Sequence, residues 1–126
     1  MFSHVTLGSS DLTRSRLFYD AVMAVIGCAP SDVWPDGRLR YFMNGVMLTI
    51  LEPIDGSPPE SGNGHTLGFR MADPAMADRW HHEGVRHGGV SVEGLPGVRA
   101  RPFGNIYLAY LRDPDGNKLC GMVEVD

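Results

Sequence analysis

The sequence predicts an α+β fold built from two related modules, and three observations carry that prediction. Each half opens with a histidine leading into a short apolar strand, His4-Val5-Thr6-Leu7-Gly8 and then His65-Thr66-Leu67-Gly68-Phe69. An Asp-led helical stretch follows each strand, from Asp11 and from Asp73, and a Gly-bearing break and a β-hairpin follow each helix. Between the halves lies a segment with the Pro- and Gly-rich composition of a linker. At 126 residues the chain has the size of one domain, and half of it is too short to bury a core alone. Residues 1–53, a linker over 54–63 and residues 64–126 are therefore expected to fold as a unit, with mostly antiparallel sheets curling around a shared pocket.

Residues 3–8 alternate loosely and end at Gly8-Ser9-Ser10, the pattern of a strand running into a turn. Ser10 or Asp11 caps a helix over Leu12–Ile26, with Leu12, Phe18, Val22, Val25 and Ile26 on one face, and Gly27 stops it. Pro30, Pro35 and Gly37 mark a loop. Leu39–Met43 and Val46–Leu51 are strands joined by Asn44-Gly45, a strong hairpin signal.

The second module opens with a strand over His65–Met71. Asp73 or its neighbour caps a helix that starts at Pro74, where the missing N–H costs nothing, and ends near His87 before Gly88-Gly89. A Gly- and Pro-rich stretch to Pro102 reads as loop. Ile106–Arg112 and Lys118–Val125 close the chain as a hairpin around Asp113-Pro114-Asp115-Gly116-Asn117. The modules align with an offset of 62 at Asp11 and Asp73, but of 61 at the two histidines.

Composition excludes several function classes. A net charge of −4, with eleven Lys and Arg that do not cluster, argues against a nucleic-acid partner. No apolar run approaches a membrane span. The N-terminus lacks the basic and apolar regions of a signal peptide, and two cysteines, Cys28 and Cys120, are too few for a disulfide framework. The expected location is the cytoplasm, with both thiols reduced. There is no phosphate-binding Gly loop and no nucleophile elbow. His81, His82 and His87 lack the i, i+4 zinc spacing and read as a solvated helix face.

The repeat, its leading histidines and the Arg112–Lys118 turn resemble the vicinal oxygen chelate superfamily, which holds glyoxalase I, extradiol dioxygenases, and the bleomycin- and fosfomycin-resistance proteins. The resemblance runs from His4 to Val125 and takes in Phe18-Tyr19, where the family's first helix commonly carries Phe-Tyr. It implies paired βαβββ modules, curled mixed sheets around a shared cleft, a homodimer and a small-molecule ligand. In metal-using members it implies two histidines and one or two carboxylates on inward strands. His4 and His65 match the histidine positions. The last ligand position, four residues past Gly116, is Cys120, and the other acidic position falls at Leu48 or Thr49, so both acids are replaced. Glu124 shares a strand face with Cys120 but lies about 13 Å along the strand, too far to substitute.

Two imidazoles and a thiolate suit Zn²⁺ in an open three-ligand site, and their softness disfavours Mg²⁺ and Mn²⁺. Cys120 also reads as a small buried hydrophobe. The resemblance further implies that Tyr110, three residues before the turn Asp, faces the pocket. Leu48 and Arg101 complete the expected ligand-binding set, Arg101 from the loop before the strand. Two readings follow. One is a divalent-metal-dependent lyase, isomerase or dioxygenase acting on a small oxygenated substrate, with lactoylglutathione lyase activity not expected because no general base can be named. The other is a metal-free drug- or metabolite-binding protein of the bleomycin-resistance type. A third, a partner subunit that keeps the fold alone, requires neither histidine.

Overall fold

The computed structural model describes residues 1–126. The first module contributes β1 (His4–Gly8), α1 (Leu12–Val25), β2 (Leu39–Met43) and β3 (Val46–Leu51). Its sheet has the order β1-β3-β2, with β1 parallel and β2 antiparallel to β3. The second contributes β4 (Leu67–Arg70), α2 (Pro74–Arg86), β5 (Val90–Ser91), β6 (Gly97–Arg101), β7 (Gly104–Arg112) and β8 (Lys118–Val125). Its order is β4-β8-β7-β5, with β6 also paired to β7. The fold is α+β with mixed sheets, and β4 lies parallel to β8 as β1 does to β3.

Local chemistry repeats with the topology. Asp11 and Asp73 both stand at the N-cap in extended conformation, and each accepts a hydrogen bond from the backbone N–H three residues on, Arg14 and Met76. Such a cap satisfies a donor that the first helical turn leaves unpaired. One core spans both modules. Phe18, Tyr19 and Val22 of α1 meet Ala77 and Trp80 of α2, and Ile50, Leu111 and Leu119 of the sheets close around them.

The segment expected as loop before Pro102 forms β5 and β6 instead, so Arg99 and Arg101 lie on a strand. β5 is two residues long and β6 opens on Gly97 between Pro96 and Pro102, which hides both from a pattern search. The first module has no counterpart to these strands. On the outer edge of β2 lies the segment 31–38, held by side chains: the Ser31 hydroxyl accepts from Arg40 N, and Asp36 accepts two hydrogen bonds from the Arg40 guanidinium.

The Asp113–Asn117 turn is a clasp between modules. The Asp113 carboxylate is buried and accepts from Tyr19 Oη at 2.5 Å, from Asn117 Nδ2 and from the backbone N–H groups of Asp115 and Asn117. Asn117 Nδ2 also reaches Gly8 O, and Asp115 accepts from Ser10 and Arg14. Phe18-Tyr19 and the turn, two separate elements of the resemblance, are thus two halves of one contact.

Candidate functional site

Strand parity decides where each expected ligand points, because successive side chains alternate between faces. In β1, Val5 and Leu7 pack on the core, which leaves His4 and Thr6 on the opposite face. In β4, Leu67 and Phe69 pack on the core, which leaves Gly68 and Arg70 opposite. The N-caps set the offset between modules at 62, so His4 corresponds to Thr66 and not to His65. His65 precedes β4 altogether. Its imidazole folds against Gly62, where an added Cβ would sit 2.1 Å from Nδ1. The two histidines are therefore not equivalent, which corrects the expectation drawn from their similar local sequences.

Cys120 is buried with Ile106 and Leu108, and Tyr110 and Met122 pack around them. It pairs with Gly68 on one side and Tyr110 on the other. Gly68 makes room for the thiol, since a Cβ there would lie 3.3 Å from Sγ. Burial pushes the Cys120 thiol above its ordinary pKa, which favours S–H over thiolate. The matching position in the first module, opposite Thr6, is Thr49. Repeat-related strand positions thus carry His4 and Thr66, and Thr49 and Cys120. This set holds one imidazole, two hydroxyls and a protonated thiol, which does not fit a divalent ion. No group of three His, Cys, Asp or Glu side chains converges at metal-binding distance, and the expected triad of His4, His65 and Cys120 is not brought together.

The remaining expected residues scatter. Tyr110 carries the Lys118 ammonium 5.0 Å from its ring centroid. Arg101 ends β6, exposed, and donates to the neighbouring Ala100 carbonyl. Leu48 is on the core side of β3 and lines a cavity of about 370 Å³ that sequence reading did not identify. The glutamate four residues past Cys120, Glu124, is on the surface beside Arg70 at 4.0 Å.

The cavity lies where the modules meet. Met23 and Ile26 at the end of α1 form its back. Tyr41, Met43, Val46 and Leu48 give it one wall from the β2–β3 hairpin, with Asn44 at the turn. The free edge of β4 gives the other, through Gly68, Phe69 and Arg70, and Met76 of α2 closes the end. Nine of the twelve lining residues are hydrophobic. The Tyr41 hydroxyl is turned away, donating to Asp20 on α1, so that residue offers the cavity only its ring. Arg70 is the one ionisable group on the wall other than that phenol. A sequence signal existed in Met43 and Val46, apolar residues flanking a tight turn without an evident partner.

The family model described as Glyoxalase/Bleomycin resistance protein/Dioxygenase superfamily matches residues 1–120. Among solved structures, a glyoxalase/bleomycin resistance protein from Albidiferax ferrireducens T118 is 43% identical. It superposes with a TM-score of 0.92 over 97% of this chain and 98% of its own. A glyoxalase-related enzyme from Fulvimarina pelagi is 25% identical, with a TM-score of 0.72 over 97% of this chain and 86% of its own. A glyoxalase/bleomycin resistance protein/dioxygenase family enzyme from Burkholderia phytofirmans PsJN is 15% identical and shares the fold, with a TM-score of 0.73 over 98% of each chain. None of the curated proteins matches this chain. No helix is long and apolar enough to cross a membrane.

Proposed function

Since the chain belongs to the Glyoxalase/Bleomycin resistance protein/Dioxygenase superfamily, we propose that it is a small-molecule-binding member whose ligand occupies the cavity between the modules. The cavity carries this reading. At about 370 Å³ it falls in the range of ligand pockets, and its apolar wall releases water on occupation. Met23, Met43 and Met76 supply unbranched side chains that adjust to irregular shapes. Binding is non-covalent, since no nucleophile lines the wall. The donor chemistry at the expected metal positions supports a reading in which His4, His65 and Cys120 hold no ion. The 43% identical relative is called a glyoxalase/bleomycin resistance protein, which is compatible with a binding role.

The test is a titration with the neutral fluorescent probe N-phenyl-1-naphthylamine. We expect saturable binding at one site per chain, unchanged by EDTA. Met76→Trp fills the end of the cavity and should weaken binding at least tenfold, with the helical circular-dichroism signal retained. Linear, non-saturable partitioning sinks the proposal. So does stoichiometric metal in the purified protein that disappears in His4→Ala.

A further inference from the structure

Five times in this chain an Asn or Asp precedes a Gly, at 36–37, 44–45, 55–56, 63–64 and 115–116. Such a pair holds a latent reaction. The Gly nitrogen can attack the side-chain Cγ and close a five-membered imide, and the missing Cβ of Gly leaves the approach open. Closure needs a free Gly N–H and a peptide able to swing towards the side chain. The fold withholds one or the other at four of the five pairs. In the three Asp-Gly pairs the Gly N–H is already donated to a carbonyl: Gly37 to Trp34 at 2.9 Å, Gly56 to Pro53 at 3.1 Å and Gly116 to Asp113 at 2.9 Å. Asn44-Gly45 is the tip of the β2–β3 hairpin, left-handed at both residues (φ 52° and 78°). Met43 and Val46 pair across it, so that peptide can turn only if the hairpin opens. Asn63-Gly64 has neither restraint. Both residues are exposed, outside any helix or strand. The Gly64 N–H donates to no other group of the chain, and a Cβ added at Gly64 would meet no atom within 4 Å. The His65 ring is turned back on Gly62 and leaves Gly64 uncovered.

We propose that Asn63 is a self-modification site, converted to aspartate and isoaspartate through an imide formed with Gly64. The Gly64 nitrogen gives its proton to solvent and bonds to Asn63 Cγ. The Cγ–Nδ2 bond breaks, and the amide nitrogen leaves as ammonia. Water then opens the imide at either carbonyl. Opening at Cγ gives ordinary aspartate. Opening at the backbone carbonyl gives isoaspartate, in which the chain runs through the side chain and is longer by one methylene. Either product adds a negative charge to a chain whose net charge is −4. The change falls two residues from Ser61, which lies against the turn between the modules: a Cβ added at Gly116 would stand 3.5 Å from Ser61 Cβ and Oγ. The reaction is independent of what occupies the cavity.

The experiment incubates the folded protein at mildly alkaline pH and follows each amide by tandem mass spectrometry. Cleavage after Glu52 and Glu60 places residues 44 and 63 on separate peptides. Residue 63 should gain a carboxylate about tenfold faster than residue 44 or more, because residue 44 reacts only from locally opened hairpins. Isoaspartate should accompany aspartate at residue 63. In urea, which removes the hairpin, the two sites should convert at similar rates. Gly64→Ala should slow conversion at residue 63 in folded and unfolded chains alike, and should leave residue 44 unchanged. Equal rates at the two sites in the folded protein overturn the proposal. So does an amide that persists at residue 63 while the unfolded chain converts. Aspartate without isoaspartate would mean direct hydrolysis of the side chain and also overturns it.

Discussion

The two hairpins, β2–β3 and β7–β8, occupy the same place in the two modules and have opposite characters. The second is framework. Its turn is buried against α1 through Asp113, and its outer edge is paired to β5 and β6 by backbone ladders. The first is a rim. Its Asn44-Gly45 turn stands at the cavity mouth without side-chain hydrogen bonds, and its outer edge is held by Ser31, Asp36 and the ring of Trp34 over Arg40. The turn of the second hairpin ties the modules together through the buried Asp113 carboxylate, beside the core they share. The other is held at its outer edge by side-chain contacts and lines the cavity. The two copies of one motif thus differ in how their outer edges are held and in what they border.

The largest test of this contrast is Asp113→Ala. Removing the carboxylate leaves the Tyr19 hydroxyl, the Asn117 amide and two backbone N–H groups without their acceptor, in a site that is 3% exposed. We expect a loss of about 3 kcal/mol or more in urea denaturation, with Tyr19→Phe costing about 1 kcal/mol. Trp34→Ala should cost less, about 1 kcal/mol, because it removes the ring under the Arg40 guanidinium and beside Phe42 while the backbone ladders stay intact. A Trp34→Ala effect matching that of Asp113→Ala would break the contrast between framework and rim.

The smallest effect is electrostatic. Hydrogen bonds from Arg40 lower the Asp36 carboxyl from 3.8 to about 2. A depressed carboxyl supports the folded state above its ordinary value, and that support fades as pH falls from about 4 through about 2. An NMR titration of Asp36 should show the low midpoint, and Arg40→Gln should return it towards 3.8. A normal midpoint in the unmodified protein would mean that segment 31–38 is not held to β2 by this pair.

Much of the framework was legible in the sequence because it follows from local rules. Asp11 and Asp73 cap the helices, Asn44-Gly45 turns the first hairpin, and the strands read by alternation. β5 and β6 were not legible, since two residues of extended chain and a strand between two prolines depend on β7 for their pairing. The site was harder. A one-residue slip reverses the face of a strand residue, so two histidines in similar pentapeptides look equivalent although only His4 lies within its strand. The discrepancy was visible as an offset of 61 at the histidines against 62 at the caps. The cavity depends on how α1, the first hairpin and the edge of β4 come together in space, and neither module's sequence contains that arrangement.

The placement of the two tryptophans gives each copy of the motif its own optical reporter. Trp34 lies over the outer edge of the first hairpin, with the Arg40 guanidinium over its ring and Phe42 tilted beside it. Trp80 is fully enclosed in the second module, with its ring centroid 6.0 Å from that of Phe69, a cavity residue. In a pair of single-tryptophan variants, iodide should quench the emission of Trp34 more readily than that of Trp80. The unlabelled chain would then distinguish movement at the rim from occupation of the interior by colour and accessibility alone.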